Sequence, residues 1–360
     1  MNPEAISFII ILLGVLVALV AALVVFVYRE VPKIFKFLKL TRHTGNPLIS
    51  PVVGGEWNEV ATFNPGALLD DDGRVHLVYR TIGTDGMSRF GYAQSCDGFD
   101  FTDQSPTPIF AAQSPRYDSN RKMEFDPVAY PSGGSWGGTE DPRIVRIDDR
   151  IYVTFSVFDG WDYLRMAFSS ISMDDFLNRR WKWTRPVLLS APNTISKNWV
   201  LFPEKINGKF AVIHSIAPSV SVEYIDRLDA SVKPIHSPRR DGPQPGRKGH
   251  WDSKLRGAGP PPIKTEKGWL LLYHGETAGE PRYKLGAMLL DLNNPEKVLS
   301  RSPHPILFSE EWYEHDWKPG VIYASGAVVK DGQLFVYYGG GDKHVCVAHM
   351  PLGELLNSLV

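Results

Sequence analysis

The 360-residue sequence is poor in cysteine and has almost no net charge. Its two cysteines, Cys96 and Cys346, allow one bridge at most, which excludes a disulfide framework and is compatible with a reducing compartment. The 39 basic and 40 acidic side chains exclude a generally basic surface, so we expect no nucleic-acid partner. With 43% hydrophobic and 22% charged residues, the composition also excludes a disordered chain.

Motifs for metal and nucleophile chemistry are missing as well. The 10 histidines show no metal-ligand spacing, and neither a GxSxG nor an HExxH motif occurs. The glycine-rich GGGDKH segment lacks the spacing of a phosphate-binding P-loop and follows a hairpin signal instead of opening a helix. We therefore expect no metal ion and no organic cofactor.

The longest hydrophobic run lies at the N-terminus. Residues 6–28 contain no charged side chain over 23 positions, and about 20 apolar residues suffice to cross a bilayer as a helix. A cleaved signal peptide is the alternative, but its apolar region is usually about 7–15 residues long and follows a basic start. Residues 1–5 contain no Lys or Arg. We therefore predict a short tail followed by a transmembrane helix over residues 6–28.

Basic residues follow the hydrophobic run and predict its orientation. Residues 29–45 form a basic juxtamembrane segment, and cytoplasmic flanks of membrane helices are enriched in Lys and Arg. We predict a single-pass membrane protein whose C-terminal domain, residues 46–360, faces the cytoplasm, with the lipid bilayer as a partner. The segment fits either an interfacial helix on anionic lipid or a simple stop signal. Its basic residues are Arg29, Lys33, Lys36, Lys39 and Arg42.

From residue 46 onward the sequence has the pattern of an all-β protein. Five segments repeat a turn followed by an apolar strand, and their turns are spaced 76, 59, 60 and 64 residues apart. This spacing favours a five-bladed β-propeller over residues 46–360. A β-sandwich with large insertions is the alternative, and it fits the near-regular spacing less well. The repeats are DGRVHLVYR (72–80), DDRIYVTFS (148–156), NGKFAVIHS (207–215), KGWLLLYHG (267–275) and DGQLFVYYG (331–339).

The densest polar cluster in the sequence is GGTEDPRIVRI, just before the second repeat. Glu140 and Asp141 lie at a strand entrance that Pro142 fixes, which makes them candidates for acid chemistry. An acidic residue before proline is also common in plain turns, so a structural role is equally open. In GAGPPP, three consecutive prolines exclude a central strand and predict a rigid loop that positions Lys254 and Arg256.

Several motifs resemble, in the right order, those of glycoside hydrolase family 130, which contains β-mannoside phosphorylases and related β-mannosidases. The resemblance spans nearly all of residues 46–350. It implies a five-bladed propeller, a site in the central channel and inverting attack on a β-mannosidic bond at the non-reducing end. The motifs are FNPGALL, YR, GTEDPRI, LFPEKINGKF, GAGPPPIKTEKGWLLLYHG, YKLGAMLLDL and SGAVVKDGQLFVYYGGGDKHVCVA.

The resemblance also implies roles for individual residues. Asp141 matches the family's general acid, which is thought to pass its proton through a sugar hydroxyl. A second set is implied to bind the mannose at the cleavage site, and tryptophans are candidates for a stacking face. The mannose-binding set is Asn64, Arg80, Arg89, Glu140 and Asp342, and the tryptophans are Trp57, Trp136, Trp161 and Trp251.

Phosphate binding calls for basic side chains near the anomeric carbon. A phosphorylase needs only the acid, because phosphate is the nucleophile, but it must bind that anion. Many phosphorylases of the family follow the phosphate-site histidine with arginine, whereas Ser215 stands at that place here. The phosphate-binding candidates are Lys197, His214, Lys254 and Arg256.

Three functions stay open at this point. The first is an inverting phosphorylase that converts a β-mannoside and phosphate to α-mannose 1-phosphate and a shortened glycan. The second is a β-mannosidase with the same acid and water as nucleophile, for which Glu204 and Asp252 are base candidates by motif position. The third is a membrane-tethered, carbohydrate-binding propeller without catalysis. We predict the phosphorylase, with inorganic phosphate as co-substrate and a β-mannoside glycan as partner, because phosphate is abundant in the cytoplasm.

Overall fold

Strands dominate the structure, and the helices are few and short, which confirms the all-β prediction. The chain divides into two compact units, Met1–Leu38 and Lys39–Val360. A computed structural model describes residues 12–23, 38–112, 135–160, 163–237 and 242–359.

The predicted transmembrane helix is not found. Residues 12–23 are helical (α1). Among the residues that the structure describes, no helix has the length and apolar character needed to span a membrane. The prediction of a single-pass membrane protein with a cytoplasmic domain and a lipid-bilayer partner is therefore wrong. The rest of the predicted span and juxtamembrane segment, residues 6–11 and 24–37, lies outside the described residues.

The strands of Lys39–Val360 form antiparallel groups. After β1 (Thr41–Arg42), the first group contains β2 (Ala61–Leu69), β3 (Val75–Ile82), β4 (Met87–Ser95) and β5 (Asp103–Gln104). The second group contains β6 (Gly137–Ile147), β7 (Arg150–Phe158), β8 (Leu164–Ser172) and β9 (Val187–Leu188). Each group is hydrogen-bonded in sequence order, and a two-residue parallel pairing of β4 with β6 joins both groups in one eight-stranded sheet.

The remaining strands form three further sheets. The third group is β10 (Val200–Leu201), β11 (Phe210–Ser215) and β12 (Ser221–Ile225). The fourth is β13 (Gln244–Pro245), β14 (Lys254–Ala258), β15 (Ile263–Thr265), β16 (Gly268–Thr277), β17 (Glu280–Leu290), β18 (Val298–Arg301) and β19 (Leu307–Phe308). The last is β20 (Ile322–Lys330), β21 (Gln333–Gly340) and β22 (His344–Pro351), with β1 paired to β22. The short helices are α2 (Met173–Leu177), α3 (Leu352–Ser358) and the 3₁₀ turns Glu56–Asn58 and Trp312–Glu314.

Each sequence repeat lies on a central strand of one group. These strands are β3, β7, β11, β16 and β21, and each has an antiparallel neighbour on both sides. The turns before β11 and β21 contain Asn207–Gly208 and Asp331–Gly332, in which both residues have positive φ. Positive φ at both central residues defines the type I′ hairpin turn, which favours Asn-Gly and Asp-Gly. The repeated turn signal therefore has a direct structural cause.

The core lies between consecutive groups, and the strands are buried on both faces. Leu77 and Val78 of β3 belong to different hydrophobic clusters, because successive side chains of a strand point to opposite faces. Separate clusters pack the first group against the second, the second against the third, the third against the fourth, and the last against the first. Burial on both faces explains why these strands are almost continuously apolar in sequence.

The pairing of β1 with β22 is reinforced by a buried ion pair. Arg42 of β1 contacts the carboxylate of Glu314 through Nε and Nη2, at 2.8 and 3.0 Å. Glu314 is fully buried, and it also accepts a hydrogen bond from the Tyr338 hydroxyl group at 2.8 Å. The start of this compact unit is thus tied to its last sheet.

We expect Arg42→Met to lower the free energy of unfolding by about 3 kcal/mol, because it leaves the buried carboxylate of Glu314 without its cation. The matched control is Lys39→Met, which breaks an exposed pair with Glu310 and costs less than about 1 kcal/mol. Urea unfolding followed by tryptophan fluorescence measures both. Equal losses for the two variants would contradict the assignment of a structural role to the buried pair.

Candidate active site

Bulges in the first strands of two groups determine where the acidic candidates lie. The register of β2 shifts at Asn64 and Pro65, and that of β6 shifts at Asp141 and Pro142. Asn64 and Asp141 have φ of 47° and 54°, a left-handed conformation that Asn and Asp adopt more readily than most residues. Proline fits at a bulge because its missing N–H leaves no ladder hydrogen bond unmade. The Asn-Pro and Asp-Pro motifs therefore mark equivalent backbone distortions.

Two glycines allow these bulged strands to approach each other closely. A Cβ atom on Gly66 would lie 2.7 Å from the carbonyl oxygen of Pro142, and one on Gly326 would lie 2.5 Å from that of Pro65. Both distances are shorter than a Cβ atom tolerates. Strands β20, β2 and β6 can therefore meet only with glycine at these positions, and their bulges lie side by side.

The carboxylate of Asp141 is held by groups from two neighbouring strands. Asn64 Nδ2 donates to Asp141 Oδ1 at 2.8 Å, and Arg80 Nη1 contacts the same oxygen at 3.2 Å. Asp141 is only 3% exposed. Three residues predicted for the site are thus assembled around one carboxylate oxygen.

Glu140 connects Arg80 to a lysine. Its Oε1 accepts hydrogen bonds from Arg80 Nη2 at 2.8 Å and from Ser135 Oγ at 3.1 Å. Its Oε2 lies 3.2 Å from Lys197 Nζ. Arg80 also donates through Nε to Ser88 Oγ at 2.9 Å. Glu140 and Arg80 are fully buried, so this network is shielded from solvent.

The charges around Asp141 determine its protonation. Burial raises the pKa of the Asp141 carboxyl group, because a buried charge is poorly solvated. The positive charges of Arg80, Lys197 and Arg143 outweigh burial and lower this pKa to about 2. Asp141 is therefore ionised at neutral pH in the ligand-free protein.

Arg143 links β6 to three other parts of the structure. Its Nε donates to the carbonyl oxygen of Gly259 at 2.8 Å, and its Nη1 donates to that of Asp141 at 3.0 Å. Its Nη2 donates to Asn198 Oδ1 at 3.1 Å and contacts the Tyr323 hydroxyl group at 2.9 Å. The Tyr323 hydroxyl group in turn contacts Asn198 Oδ1. This buried guanidinium therefore holds the bulge of Asp141 in place from behind.

A histidine lies beyond Tyr323. The rings of His274 and Tyr323 are stacked at 4.5 Å, and His274 Nε2 accepts the backbone N–H of Ala324 at 2.9 Å. Burial and the charge of Arg143 lower the pKa of His274 to about 3, so its ring is neutral. Its other nitrogen, Nδ1, is buried without a hydrogen-bond partner among the described residues. A neutral ring is what this arrangement requires, because a protonated Nε2 could not accept.

Three of the phosphate-binding candidates line one small cavity next to this network. Lys197, His214 and Arg256 line it, together with backbone and side chains of the third and fourth groups. The cavity has a volume of about 50 Å³. His214 Nδ1 lies 3.2 Å from Ser237 Oγ, and Arg256 forms a 2.8 Å ion pair with Glu276. Lys197 thus contacts both the Glu140 network and the cavity.

The fourth candidate, Lys254, does not line the cavity. Its Nζ lies 3.6 Å from Glu276 Oε1, and 43% of its side chain is exposed. The register of β14 shifts between Leu255 and Gly257, so Arg256 is the inserted residue of a bulge. A bulge redirects the side chain that it inserts, which explains why Arg256 reaches the cavity and Lys254 does not.

The remaining mannose-binding candidates lie around this network. Asp342 lies in the turn before β22 with a φ of 54°, and its carboxylate lies 3.1 Å from Lys318 Nζ. Its negative charge also raises the pKa of Arg80. Arg89 contacts Asp85 and the carbonyl oxygen of Met87. The structure therefore brings Asp342 near the buried cluster, but it does not bring Arg89 into it.

The tryptophan and base candidates have other partners. Trp136 Nε1 donates to the Asp85 carbonyl oxygen, and Trp251 stacks on Tyr273. Trp57 is part of the 3₁₀ turn Glu56–Asn58, and Trp161 lies outside the described residues. Within the described ranges, no group of three or more His, Cys, Asp or Glu side chains is arranged to bind a metal ion. Of the base candidates, Asp252 is buried against Arg247 and Tyr273, and Glu204 pairs with exposed Lys264.

Sequence reasoning gave no role to three residues of the network, Arg143, Asn198 and Tyr323. A usable signal was present, because each lies on or next to the segment that precedes a repeat. Asn198 resembles Asn64 and Asp141 in having a positive φ, at 63°. Searching the positions roughly ten residues before each repeated turn for Asn, Asp or Gly would have found Asn198, but not Arg143 or Tyr323.

The fold is all-β, and its buried cluster of carboxylates and cations is the arrangement expected of an enzyme site. A family model for glycoside hydrolase family 130, described as beta-1,4-mannooligosaccharide phosphorylase, matches residues 50–360, and the chain belongs to this family. The chain is 34% identical over 332 residues to a 1,2-beta-oligomannan phosphorylase of Thermoanaerobacter sp. (strain X514), covering 88% of this chain and 99% of that protein. It is 35% identical over 326 residues to a beta-1,2-mannobiose phosphorylase of the same organism, covering 86% and 96%.

Solved structures agree with this assignment. A crystal structure of a glycosyl hydrolase from Bacteroides ovatus superposes with a TM-score of 0.66 and 25% identity, covering 89% of this chain and 95% of that chain. The beta-1,2-mannobiose phosphorylase of Listeria innocua superposes with a TM-score of 0.65 and 24% identity, covering 89% and 99%. At that identity the second similarity concerns the fold alone.

We expect Arg143→Lys to lower the free energy of unfolding by about 3 kcal/mol, because an ammonium group cannot reproduce the planar set of hydrogen bonds to three other segments. The matched control is Arg146→Lys on the same strand, whose exposed pair with Asp71 contributes less than about 0.5 kcal/mol. Urea unfolding of both variants checks this. A control as unstable as Arg143→Lys would contradict the assigned role of Arg143.

Proposed function

We propose that this chain is an inverting β-1,2-mannoside phosphorylase, with Asp141 as its general acid. The enzyme releases α-mannose 1-phosphate and a glycan shortened by one mannose. The observation that carries the proposal is the contact of Lys197 with both the acid network and a cavity lined by basic residues. Such an arrangement suits an enzyme whose nucleophile is an anion.

The proposed overall architecture is a five-bladed propeller in which each antiparallel group is one blade. The hydrophobic clusters link consecutive groups and also link the last group to the first. The fourth and last groups meet at the stacked rings of His274 and Tyr323. Contacts that return to the starting group fit a closed ring of sheets, in which the first strands surround a central channel. Asn64 and Asp141 then lie at that channel.

In the proposed reaction Asp141 supplies one proton and phosphate supplies the new bond. The Asp141 proton passes to the glycosidic oxygen, through a sugar hydroxyl as the family resemblance implies, and the bond from this oxygen to the anomeric carbon breaks. A phosphate oxygen bonds to the anomeric carbon from the opposite face, which inverts its configuration. The products are α-mannose 1-phosphate and the protonated leaving glycan, and Asp141 is left as a carboxylate.

The groups proposed to contact the mannose are Asn64, Arg80 and Asp342. Of the other two candidates, Arg89 stays a prediction of the family resemblance, because it pairs with Asp85 outside the cluster, and Glu140 is given a different role. Asn64 Oδ1 is buried without a hydrogen-bond partner among the described residues, so it can accept a sugar hydroxyl. Glu140 is fully buried with contacts on both carboxylate oxygens, and we assign it to the orientation of Arg80 and Lys197. Asp342 reaches the sugar from the turn before β22.

The proposed phosphate site consists of Lys197, His214 and Arg256, with Lys254 outside it. Two cations and a histidine around one small cavity supply donors to several phosphate oxygens, and arginine can bind such oxygens in pairs. Ser215 stands where many phosphorylases of the family have arginine, but this difference does not remove the three groups. Hydrolysis finds less support, because both base candidates have partners of their own outside the cavity.

The proposed linkage is β-1,2, because the two relatives named above are described as β-1,2-specific phosphorylases. The family description names β-1,4-mannooligosaccharides, which makes that linkage the comparison to test.

We expect the purified chain to release mannose 1-phosphate from β-1,2-mannobiose only when phosphate is present, and faster than from β-1,4-mannobiose. Asp141→Asn should reduce kcat by at least about 100-fold, because it removes the proton and retains the shape. Anion-exchange chromatography separates mannose 1-phosphate from free mannose. Free mannose formed without phosphate would show a hydrolase, and an active Asp141→Asn variant would remove Asp141 from the mechanism.

We expect Arg256→Gln to raise KM for phosphate by at least about 10-fold, because a charged hydrogen bond contributes about 1.5–3 kcal/mol. Its KM for the mannoside should change little. Lys254→Gln is the matched control, since it contacts the same Glu276 from outside the cavity, and its KM for phosphate should stay within about twofold. A larger effect at Lys254 than at Arg256 would place the anion elsewhere.

A further inference from the structure

A row of alternating charges runs from the proposed acid to the proposed phosphate cavity. Asp141 Oδ1 lies 3.2 Å from Arg80 Nη1, and Arg80 Nη2 lies 2.8 Å from Glu140 Oε1. Glu140 Oε2 lies 3.2 Å from Lys197 Nζ. Lys197 lines the cavity and is the one member with appreciable exposure, at 12% of its side chain. An anion in the cavity would therefore extend the row by one more negative charge.

Burial makes these charges act strongly on one another. The side chains of Arg80, Glu140 and Asp141 are at most 5% exposed, so water screens their interactions little. A charge added beside Lys197 therefore changes the electrostatic potential at Asp141, either directly or through Glu140 and Arg80. The same charge at an exposed site would be screened by solvent and salt.

Apart from the carboxylates of Glu140 and Asp342, the groups around Asp141 keep a fixed charge or none. Arg143 is a permanent cation that contacts the Asp141 backbone, and Asn64 is neutral. His274 and Tyr323, packed behind the bulge, have lowered and raised pKa values, which leaves both neutral at ordinary pH. Asp342 acts on Arg80 from the turn before β22. Lys197 is therefore the cation near Asp141 that a ligand in the cavity can neutralise directly.

The resting charge state of the acid presents a difficulty for the proposed reaction. A general acid must hold its proton when the substrate is bound, yet the cations around Asp141 hold its pKa at about 2. A change in the surroundings of Asp141 must accompany substrate binding.

We propose that the binding of a phosphate dianion beside Lys197 causes Asp141 to take up a proton from solvent, with Glu140 and Arg80 coupling the two sites electrostatically. The dianion offsets the positive charge of Lys197, and the Asp141 carboxylate takes up one proton to become the carboxylic acid. No covalent bond of phosphate changes in this step. The inference rests on the proposed function, because it needs both the phosphate site and the acid. It makes phosphate the trigger for protonation as well as the nucleophile.

Proton uptake on anion binding tests this inference directly. Sulfate is the probe, because it has the shape and charge of a phosphate dianion and exchanges no proton between about pH 5 and pH 7. Titration calorimetry in two buffers of different ionisation enthalpy gives the number of protons taken up per sulfate bound. We expect uptake by the wild-type chain that increases from pH 7 to pH 5, because a carboxyl group with a raised pKa is filled further at lower pH. Sulfate should accordingly bind more tightly at pH 5.

Two variants identify the group that takes the proton. In Asp141→Asn, sulfate should still bind, and the only uptake that remains should be the part that a further His214→Gln substitution removes, because His214 also lines the cavity and can take up a proton beside an anion. In Lys197→Gln, the uptake per bound sulfate should fall to the same level as in Asp141→Asn, even where Arg256 still holds the anion. Lys264→Gln is the control, because this lysine is exposed and pairs with Glu204 far from the row of charges, so its binding and uptake should equal those of the wild type.

The outcomes separate this inference from the proposed function. Sulfate binding without proton uptake, or uptake in Asp141→Asn that equals that of the wild type, overturns the inference and leaves the phosphorylase proposal intact. Failure of the wild type to bind sulfate, while it releases mannose 1-phosphate with an ordinary KM for phosphate, also overturns it. Absence of any phosphate-dependent product overturns both.

Discussion

The buried guanidinium group of Arg143 is the constraint on which the site depends. A guanidinium group is costly to bury unless its N–H groups find acceptors, and these come from Gly259, Asn198, Tyr323 and the Asp141 backbone. The acceptors belong to different antiparallel groups, so the planar fork of Arg143 fixes the distances among them. Moving any of these segments would leave a buried donor unpaired. The bulge of Asp141 is held in its left-handed conformation by this arrangement.

The site keeps several charged side chains out of water by pairing them with one another. Each buried carboxylate contacts a cation or an amide, and the cations are distributed so that Arg80 contacts both Asp141 and Glu140. Preorganised charges of this kind need no reorganisation during a reaction, which is the main advantage of a dry site. The hydrophobic clusters between the groups exclude water from the network, so packing and electrostatics here depend on each other.

The sequence predicted the central strands well and the first strands poorly, for a physical reason. Three of the five central strands, β3, β11 and β21, follow an Asn-Gly or Asp-Gly turn, and such a turn is determined by two adjacent residues. First strands are shaped by bulges and by close approaches such as that of Gly66 to Pro142, which depend on residues far apart in the chain. Motif resemblance identified Asp141, Asn64 and Arg80, but only three-dimensional contacts could reveal Arg143. The membrane prediction relied on the length and hydropathy of residues 6–28, and no helix of the described residues meets both requirements.

The distinction between Lys254 and Arg256 illustrates what strand alternation cannot predict. In a regular strand, residues two apart point to the same face, which would direct both side chains the same way. The inserted residue in β14 breaks that rule, and only Arg256 reaches the cavity.

The bulged positions of the first strands also show how one backbone geometry serves different chemistry. In β2 the position holds an amide, in β6 a carboxylate and in β20 a serine, whose hydroxyl contacts the Pro65 carbonyl oxygen. In β14 the neighbouring residue must be Gly257, because a Cβ atom there would lie 2.6 Å from the side chain of Asn198. Asn198 is thereby free to hold Arg143. The repeat supplies the same distortion several times, and the side chain at each copy decides whether it serves as acid, acceptor or spacer.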